Sequence, residues 1–398
     1  MTQRATAAGI RPRARSAAGA SPAPPAAAPL AAAPPAAAPL AAAPPAAAPP
    51  ATAPLAAALL LALTLVSCAQ QNDSFRAPWE GPQTPQTHAV EKAVDHSLRG
   101  IRADVAVAYL DLATGSRVLR RETQQLNSAS TMKVPVLVAA WAAIDAGQLA
   151  LDQPIPLRNE FRSIVDGTRY QLAAGDDADP GLYAFVGKTL PVSDLLRHMI
   201  VRSSNLAANV LVDLLTPSRV TEAMRQLGAD DIHVLRGVAD ERAFQAGFNN
   251  EVTASDLMVV LAAIAQAAAA PDAPAEQPLD IASSSAPVAT PIISHRGATA
   301  MLETLKAQEF NEKIPAGLPA GTPVAHKTGD MTGYHHDAAI VYPPKESAYV
   351  LVVLTAGFAN EDDADRCIAN LSRAVWQARH APVTPPAASD KRGHRGSG

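Results

Sequence analysis

The chain has 398 residues, a formal net charge of −4, 35 prolines and two cysteines. That charge balance offers no basic face for nucleic acid, and two cysteines cannot build a disulfide framework or a zinc site of the usual spacing. A hydrophobic content of 48% is enough for a well-buried core, but it is unevenly distributed along the chain.

Residues 21–50 repeat a Pro/Ala pattern, Ala-Pro-Pro-Ala-Ala-Ala-Pro-Leu-Ala-Ala, with a period of about ten. Proline removes backbone donors and alanine offers little surface to bury, so this stretch is expected to be extended or disordered. Leu55 to Val66 form an apolar run. A membrane span needs roughly 20 residues, so the run better suits the apolar core of an export signal. It closes on Leu65-Val66-Ser67-Cys68, which resembles a bacterial lipobox with Cys68 as the lipidated residue; an ordinary signal peptide with a chance cysteine is the alternative. The basic residues Arg4, Arg11, Arg13 and Arg15 lie unusually far upstream of the run, as an extended leader or a misplaced gene start would leave them. Residues 1–68 are therefore read as leader and signal, 69–87 as a disordered tether, 88–381 as one folded domain and 382–398 as a disordered tail.

Within the folded part, Val90 to Leu98 has a helical pattern, and Asp104–Asp111 and Arg117–Arg120 read as a hairpin turning at Thr114-Gly115. Helices are expected over Thr131–Ala146, stopped by Gly147, then over Leu190–Ile200, Leu206–Leu215, Pro217–Leu227 and Thr253–Ala269. Residues 270–290 are rich in Ala, Pro and Ser and read as an exposed insertion, followed by a helix over Gly297–Ala307. Strands return at Val324–Thr328, Asp337–Tyr342 and Tyr349–Thr355, and a helix over Asp362–Ala378 closes the domain, with Cys367 as a small buried apolar residue. Two strands, many helices, three strands and a helix predict an α/β (α+β) fold: an antiparallel sheet flanked by helices, plus an all-helical lobe.

Three short strings carry the chemistry. Ser130-Thr-Met-Lys133 puts a nucleophile at a helix entry, where the N-terminal amides favour developing negative charge, with a lysine one turn on. Burial and a second cation would lower the Lys133 pKa enough for it to take the serine proton, and Lys327 is the candidate second cation. In Ser203-Ser204-Asn205, Ser203 would hand a proton to the leaving nitrogen and Asn205 would orient a substrate amide and Lys133. In Lys327-Thr328-Gly329, the lysine and threonine can bind a carboxylate, and glycine allows close backbone approach. The amides of Asp330 and Ser130 would form an oxyanion hole.

In this order the strings resemble the motifs of the serine β-lactamase and penicillin-binding-protein superfamily, most closely class A β-lactamases, over roughly residues 88–380. The resemblance implies a β-lactamase/transpeptidase-like fold, β-lactam substrates, an acyl-enzyme on Ser130, and no cofactor or metal. In Ser-Ser-Asn-Leu-Ala-Ala-Asn, Ser204 stands where aspartate is usual. Class A enzymes also carry Glu-x-x-x-Asn on a later loop, whose glutamate activates the water that frees the acyl-enzyme. The corresponding stretch here is Arg236–Gln245; Asp240 and Glu241 both fall near the expected place, Glu241 with Gln245 four residues on. Where many class A enzymes hold the substrate carboxylate with arginine, counting forward from Lys327 reaches His336, beside His335, a poorer carboxylate partner. The insertion Phe161–Tyr183 is expected to border the cleft.

Three functions fit these residues: an exported β-lactam hydrolase, a D-Ala-D-Ala carboxypeptidase-type cell-wall peptidase using Lys133 in both half-reactions, or a β-lactam-binding protein that stays acylated. All three imply a monomer that meets small β-lactams or cell-wall peptide, touches the membrane only through a lipid anchor, and lies in the periplasm or on the outer cell surface.

Overall fold

A computed structural model describes residues 81–271 and 292–381. The leader, Cys68, the start of the tether, most of the Ala/Pro/Ser-rich insertion and the expected tail lie outside the described residues.

The first helix, α1 (Pro85–Ser97), starts earlier than expected. Proline at the first helical position needs no donor, and the Thr84 hydroxyl accepts from Thr87 N at 3.1 Å. Gly81 N donates to Gly115 O at 3.1 Å, so residues 81–87 are part of the fold and the boundary at 88 falls inside α1. β1 (Asp104–Asp111) and β2 (Arg117–Arg120) form the expected hairpin. After β3 (Leu126–Asn127), a 3₁₀ turn over Ala129–Met132 leads into α2 (Lys133–Asp145).

The segment before the second motif is built from short pieces: β4 (Pro154–Pro156), β5 (Phe161–Arg162), β6 (Arg169–Tyr170) and β7 (Thr189–Pro191). Pairs β4–β7 and β5–β6 are two-stranded and antiparallel. Leu190 was expected to open a helix, but it precedes Pro191, which holds it extended and paired with Ile155. The helical lobe continues with α3 (Val192–Val201), α4 (Asn205–Leu215), α5 (Pro217–Gln226), the short α6 (Glu241–Gln245), β8 (Glu251–Val252, paired with β3), α7 (Ala254–Ala269) and α8 (His295–Lys306). The sheet is completed by β9 (Val324–Met331), β10 (Tyr334–Val341) and β11 (Tyr349–Ala356), and α9 (Glu361–Arg379) follows.

The five-stranded antiparallel sheet has the order β2-β1-β11-β10-β9, so the first and last strands of the described chain meet at its centre. Alternation along each strand feeds two cores. Ala106, Ala108, Leu110, Ile340, Val352 and Leu354 face the helical lobe. Val105, Val107, Val341, Leu351 and Val353 face α1 and α9 through Val90, Val94, Ile368, Leu371 and Val375. Lys327 lies opposite Ala338, and Gly329 opposite His336, on the face that meets the lobe. The expected fold class is therefore observed.

One buried ion pair locks α9 to the sheet. Arg379 Nη1 donates to Asp111 Oδ2 at 2.5 Å and to the Tyr109 hydroxyl, with its guanidinium 4.7 Å from the Tyr349 ring centroid. Arg379→Ala leaves Asp111 buried without its partner and is expected to cost about 3–5 kcal/mol, measured by urea unfolding.

Candidate active site

The three motif strings converge on one cleft. The 3₁₀ turn carrying Ser130 is entered at Ala129, whose φ of +43° is a strained value for alanine. The Ser128 carbonyl accepts from both Thr131 N (3.0 Å) and the Thr131 hydroxyl (2.6 Å), closing the turn. Lys133, one turn below Ser130, is fully buried. Its Nζ contacts Ser130 Oγ at 2.9 Å, Ser203 O at 2.6 Å, Ser203 Oγ at 3.1 Å and Asn205 Oδ1 at 2.9 Å.

These contacts limit what a neutral Lys133 could do. Burial, and then the Lys327 charge, push its pKa well below the ordinary lysine value. A neutral amine has two N–H donors and one lone pair. The Ser203 carbonyl and the Asn205 amide oxygen can only accept, so they take the two N–H groups. The lone pair is then left for a hydroxyl, and Ser130 presents the nearer one, at 2.9 Å against 3.1 Å for Ser203 Oγ.

Lys327 Nζ donates to Ser203 Oγ at 3.0 Å and to Thr328 O at 2.8 Å. Ser203 Oγ thus bridges the two lysines, at a residue held at φ +55°. Burial lowers the Lys327 pKa to about 7 against the attraction of Asp330 and Asp337. With the folded value below the unfolded one, the unfolded chain binds more protons between about pH 7 and 10.5, so stability rises with pH across that window and is least below it. Lys327→Met is expected to reduce this slope, leaving the part due to Lys133, whose pKa is also lowered, and to raise the melting midpoint at pH 7 by about 2–4 °C, on the order of 1 kcal/mol, at the expense of the site. Thermal melts from pH 6 to 10 test it.

Gly329 lies directly against the nucleophile turn. A Cβ there would stand 3.1 Å from Ser130 N and 3.0 Å from Thr131 N, so only glycine leaves room for an oxygen at the Ser130 amide. The Asp330 carboxylate turns the other way, to Lys313 Nζ (3.0 Å) and His335 Nδ1 (3.0 Å), while the residue borders the cleft. This suits Asp330 to offer its backbone amide rather than its charge.

His336 does not bind substrate in this arrangement. Its Nε2 donates to Asn127 O at 2.8 Å and its Nδ1 accepts from Thr355 N at 3.1 Å. Burial lowers its pKa to about 4, so it is a neutral, fully engaged ring. It ties β10 to the loop that delivers Ser130. Lys327 lies on the lobe face of β9 and Thr328, opposite Asp337, follows it; both are buried.

Both acids expected to free an acyl-enzyme are also displaced. Asp240 Oδ1 accepts from Ala243 N (3.1 Å), capping α6, and Oδ2 accepts from Ile164 N (3.0 Å). Glu241 is exposed and accepts from Gln245 Nε2 at 2.9 Å. The cause lies upstream. Asn209, four residues beyond Asn205 on α4, accepts from Val238 N at 2.6 Å and donates to Val238 O at 3.0 Å. Arg236 Nε donates to Phe248 O at 2.7 Å, and Asn250 Oδ1 accepts from Arg236 N at 3.2 Å. The clamped loop lines the cleft with Arg236, Val238 and Ala239, and the chain turns outward at Ala239, with φ +59°. Sequence counting located the loop but missed Val238 and its Asn209 clamp. The one available signal was the spacing of Asn205 and Asn209, a helical turn apart.

The family model described as "Beta-lactamase enzyme family" matches residues 89–286 and 285–379. Among curated proteins, 172 residues are 29% identical to Beta-lactamase L2 of Stenotrophomonas maltophilia, covering 42% of this chain and 50% of that protein. The match thus spans about half the length of that relative. A beta-lactamase structure from Sphaerobacter thermophilus DSM 20745 aligns with a TM-score of 0.58 at 24% identity, covering 73% of this chain and 97% of that one. A mutant of PBP-A, in its acyl-enzyme complex with penicillin-G, aligns with a TM-score of 0.58 at 22% identity, covering 75% of this chain and 98% of that one. At these identities the two structures bear on the fold.

Proposed function

The chain belongs to the beta-lactamase enzyme family, and on that premise we propose that it is a serine hydrolase opening β-lactam amides through an ester on Ser130, with release of that ester as its slow step. The observation that carries the reading is the Lys133 Nζ contact with Ser130 Oγ at 2.9 Å, with both acceptor-only partners of the amine already satisfied.

In the forward half-reaction Ser130 Oγ attacks the amide carbonyl while Lys133 Nζ takes its proton. The amides of Ser130 and Asp330 hold the oxyanion. The carbon–nitrogen bond breaks as Ser203 Oγ, in contact with both lysines, passes its proton to the leaving nitrogen and is re-protonated from Lys133. Lys327 and Thr328 receive the substrate carboxylate. In the second half-reaction water attacks the ester, the bond to Ser130 Oγ breaks, and the proton returns to Ser130. Asp330, which borders the pocket beside Ser130, is engaged by Lys313 and His335, and Asp240 is engaged by the Ala243 and Ile164 amides. Lys133 therefore serves as base in both half-reactions, and release is slow.

That reading also fits a D-Ala-D-Ala carboxypeptidase-type activity on cell-wall peptide. Rapid β-lactam turnover is the second reading, favoured by the beta-lactamase name of the curated relative. Export and anchoring through Cys68 belong to the same proposal. Intact-mass measurement of residues 69–398 mixed with penicillin and a chromogenic cephalosporin tests it. The expected result is stoichiometric acylation of Ser130, a burst of colour and slow turnover after it. Fast turnover with no accumulated adduct favours the second reading, and absence of any adduct overturns both.

A further inference from the structure

The second motif is gripped from both sides by a single short segment of the Phe161–Tyr183 insertion. Asp179 is buried and holds the end of α3, accepting from His198 Nδ1 at 2.5 Å and Arg202 Nη1 at 3.3 Å. Asp177, two residues earlier and also buried, holds the start of α4. Its Oδ2 accepts from Asn205 N (3.0 Å), Leu206 N (2.9 Å) and the Tyr183 hydroxyl (3.0 Å), and its Oδ1 from Asp179 N (3.0 Å). Between these two anchors the chain passes through Ser203 at φ +55°, the residue whose carbonyl and hydroxyl both meet Lys133. Ser204, inside the motif, caps α4 weakly through Ala207 N at 3.3 Å and stands 3.5 Å from Asp177 Oδ2.

We infer that Asp177 is a positioning residue for acyl transfer: from the insertion it supplies the carboxylate that fixes Ser203 and Asn205 against Lys133, a task the motif's own Ser204 is too short and uncharged to perform. Every group around the Asp177 carboxylate is a donor, so a carboxylate fits where an amide would set N–H against N–H. The negative charge reaches the reacting groups as well. Of the charges facing Lys133, Lys327 lowers its pKa and Asp177 raises it. The insertion is thus part of the catalytic framework.

The inference rests on the proposed role of Ser130 and Lys133, and a four-variant cycle separates the two. Asp177→Asn is expected to lower the acylation rate constant with penicillin about 10- to 100-fold, with little change in the concentration that half-saturates it. The acidic limb of its pH profile moves to lower pH, because Lys133 loses a neighbouring negative charge. Ser204→Asp alone is also expected to be slow and less heat-stable, since it sets two carboxylates about 3.5 Å apart. Asp177→Asn combined with Ser204→Asp moves the single carboxylate into the motif and is expected to recover acylation and melting temperature to near the parent values. Additive losses, or unchanged acylation in Asp177→Asn, overturn the inference. If the parent protein forms no ester, the reading of Ser130 fails and the acyl-transfer role of Asp177 falls with it, and recovery of the melting temperatures across the four variants would then show a structural role alone.

Discussion

Lys133→Met is expected to slow ester formation on Ser130 by about 10²–10⁴-fold while the protein stays folded, which single-turnover mass spectrometry with penicillin would measure. The size follows from general-base catalysis by one positioned group, and the folding expectation follows from burial. Lys133 is fully enclosed and held well below the usual lysine value by desolvation and by Lys327, so a neutral, unbranched side chain of similar length is tolerated. Ser130→Ala is expected to give no adduct at all. The pH profile of the parent enzyme carries the sign. Acylation falls as the pH drops through the depressed Lys133 pKa, because the base becomes protonated. Capture of a carboxylate-bearing substrate weakens as the pH rises past about 7, because Lys327 then loses its charge. A rate that fell only above pH 9 would mean that Lys133 works as a cation, contrary to the counting of its partners.

Val238→Glu is expected to speed loss of the ester by about 10²–10⁴-fold, converting a burst into sustained turnover of a chromogenic cephalosporin. Val238 borders the cleft, and its backbone is clamped by both amide atoms of Asn209. A glutamate there brings a carboxylate into the cleft that holds Ser130, where it can take a proton from water. The controls are the two acids that counting along the sequence favoured. Glu241→Gln should leave acylation and release unchanged, because Glu241 is exposed and paired with Gln245. Asp240→Asn should lower stability rather than trap an adduct, because Asp240 caps α6 and holds Ile164 N. An adduct that accumulates only in one of those two variants would show that this loop rearranges when substrate binds.

The contrast between these residues and the motif strings shows where sequence is informative. Ser130 and Lys133 are readable because their relation is a single helical turn, and Lys327 to Asp330 because they are consecutive residues at the end of one strand. The sheet was legible as well, down to the two closing strands. The loop over Arg236–Gln245 has no such period. Which of its side chains points inward is set by Asn209 on another helix and by Asn250 beyond the loop. Two-residue strands such as β3, β5 and β8 carry too little pattern to be seen. Counting forward from Lys327 reached His336, which lies opposite Gly329, but its two nitrogens are consumed by Thr355, 19 residues on, and by Asn127, 209 residues back. Asp177 was invisible for a related reason, since nothing local marks a carboxylate that holds amides 28 and 29 residues on, at Asn205 and Leu206.

Lys327, one of the two buried amines that share the hydroxyl of Ser203, is expected to take up protons when an anion settles beside it. Because burial lowers the Lys327 pKa to about 7, a carboxylate ligand that settles beside that amine near neutral pH is expected to draw protons from the buffer. Titration calorimetry of Ser130→Ala with a penicillin should therefore give apparent binding heats that differ between phosphate and Tris in proportion to the ionisation enthalpy of each buffer.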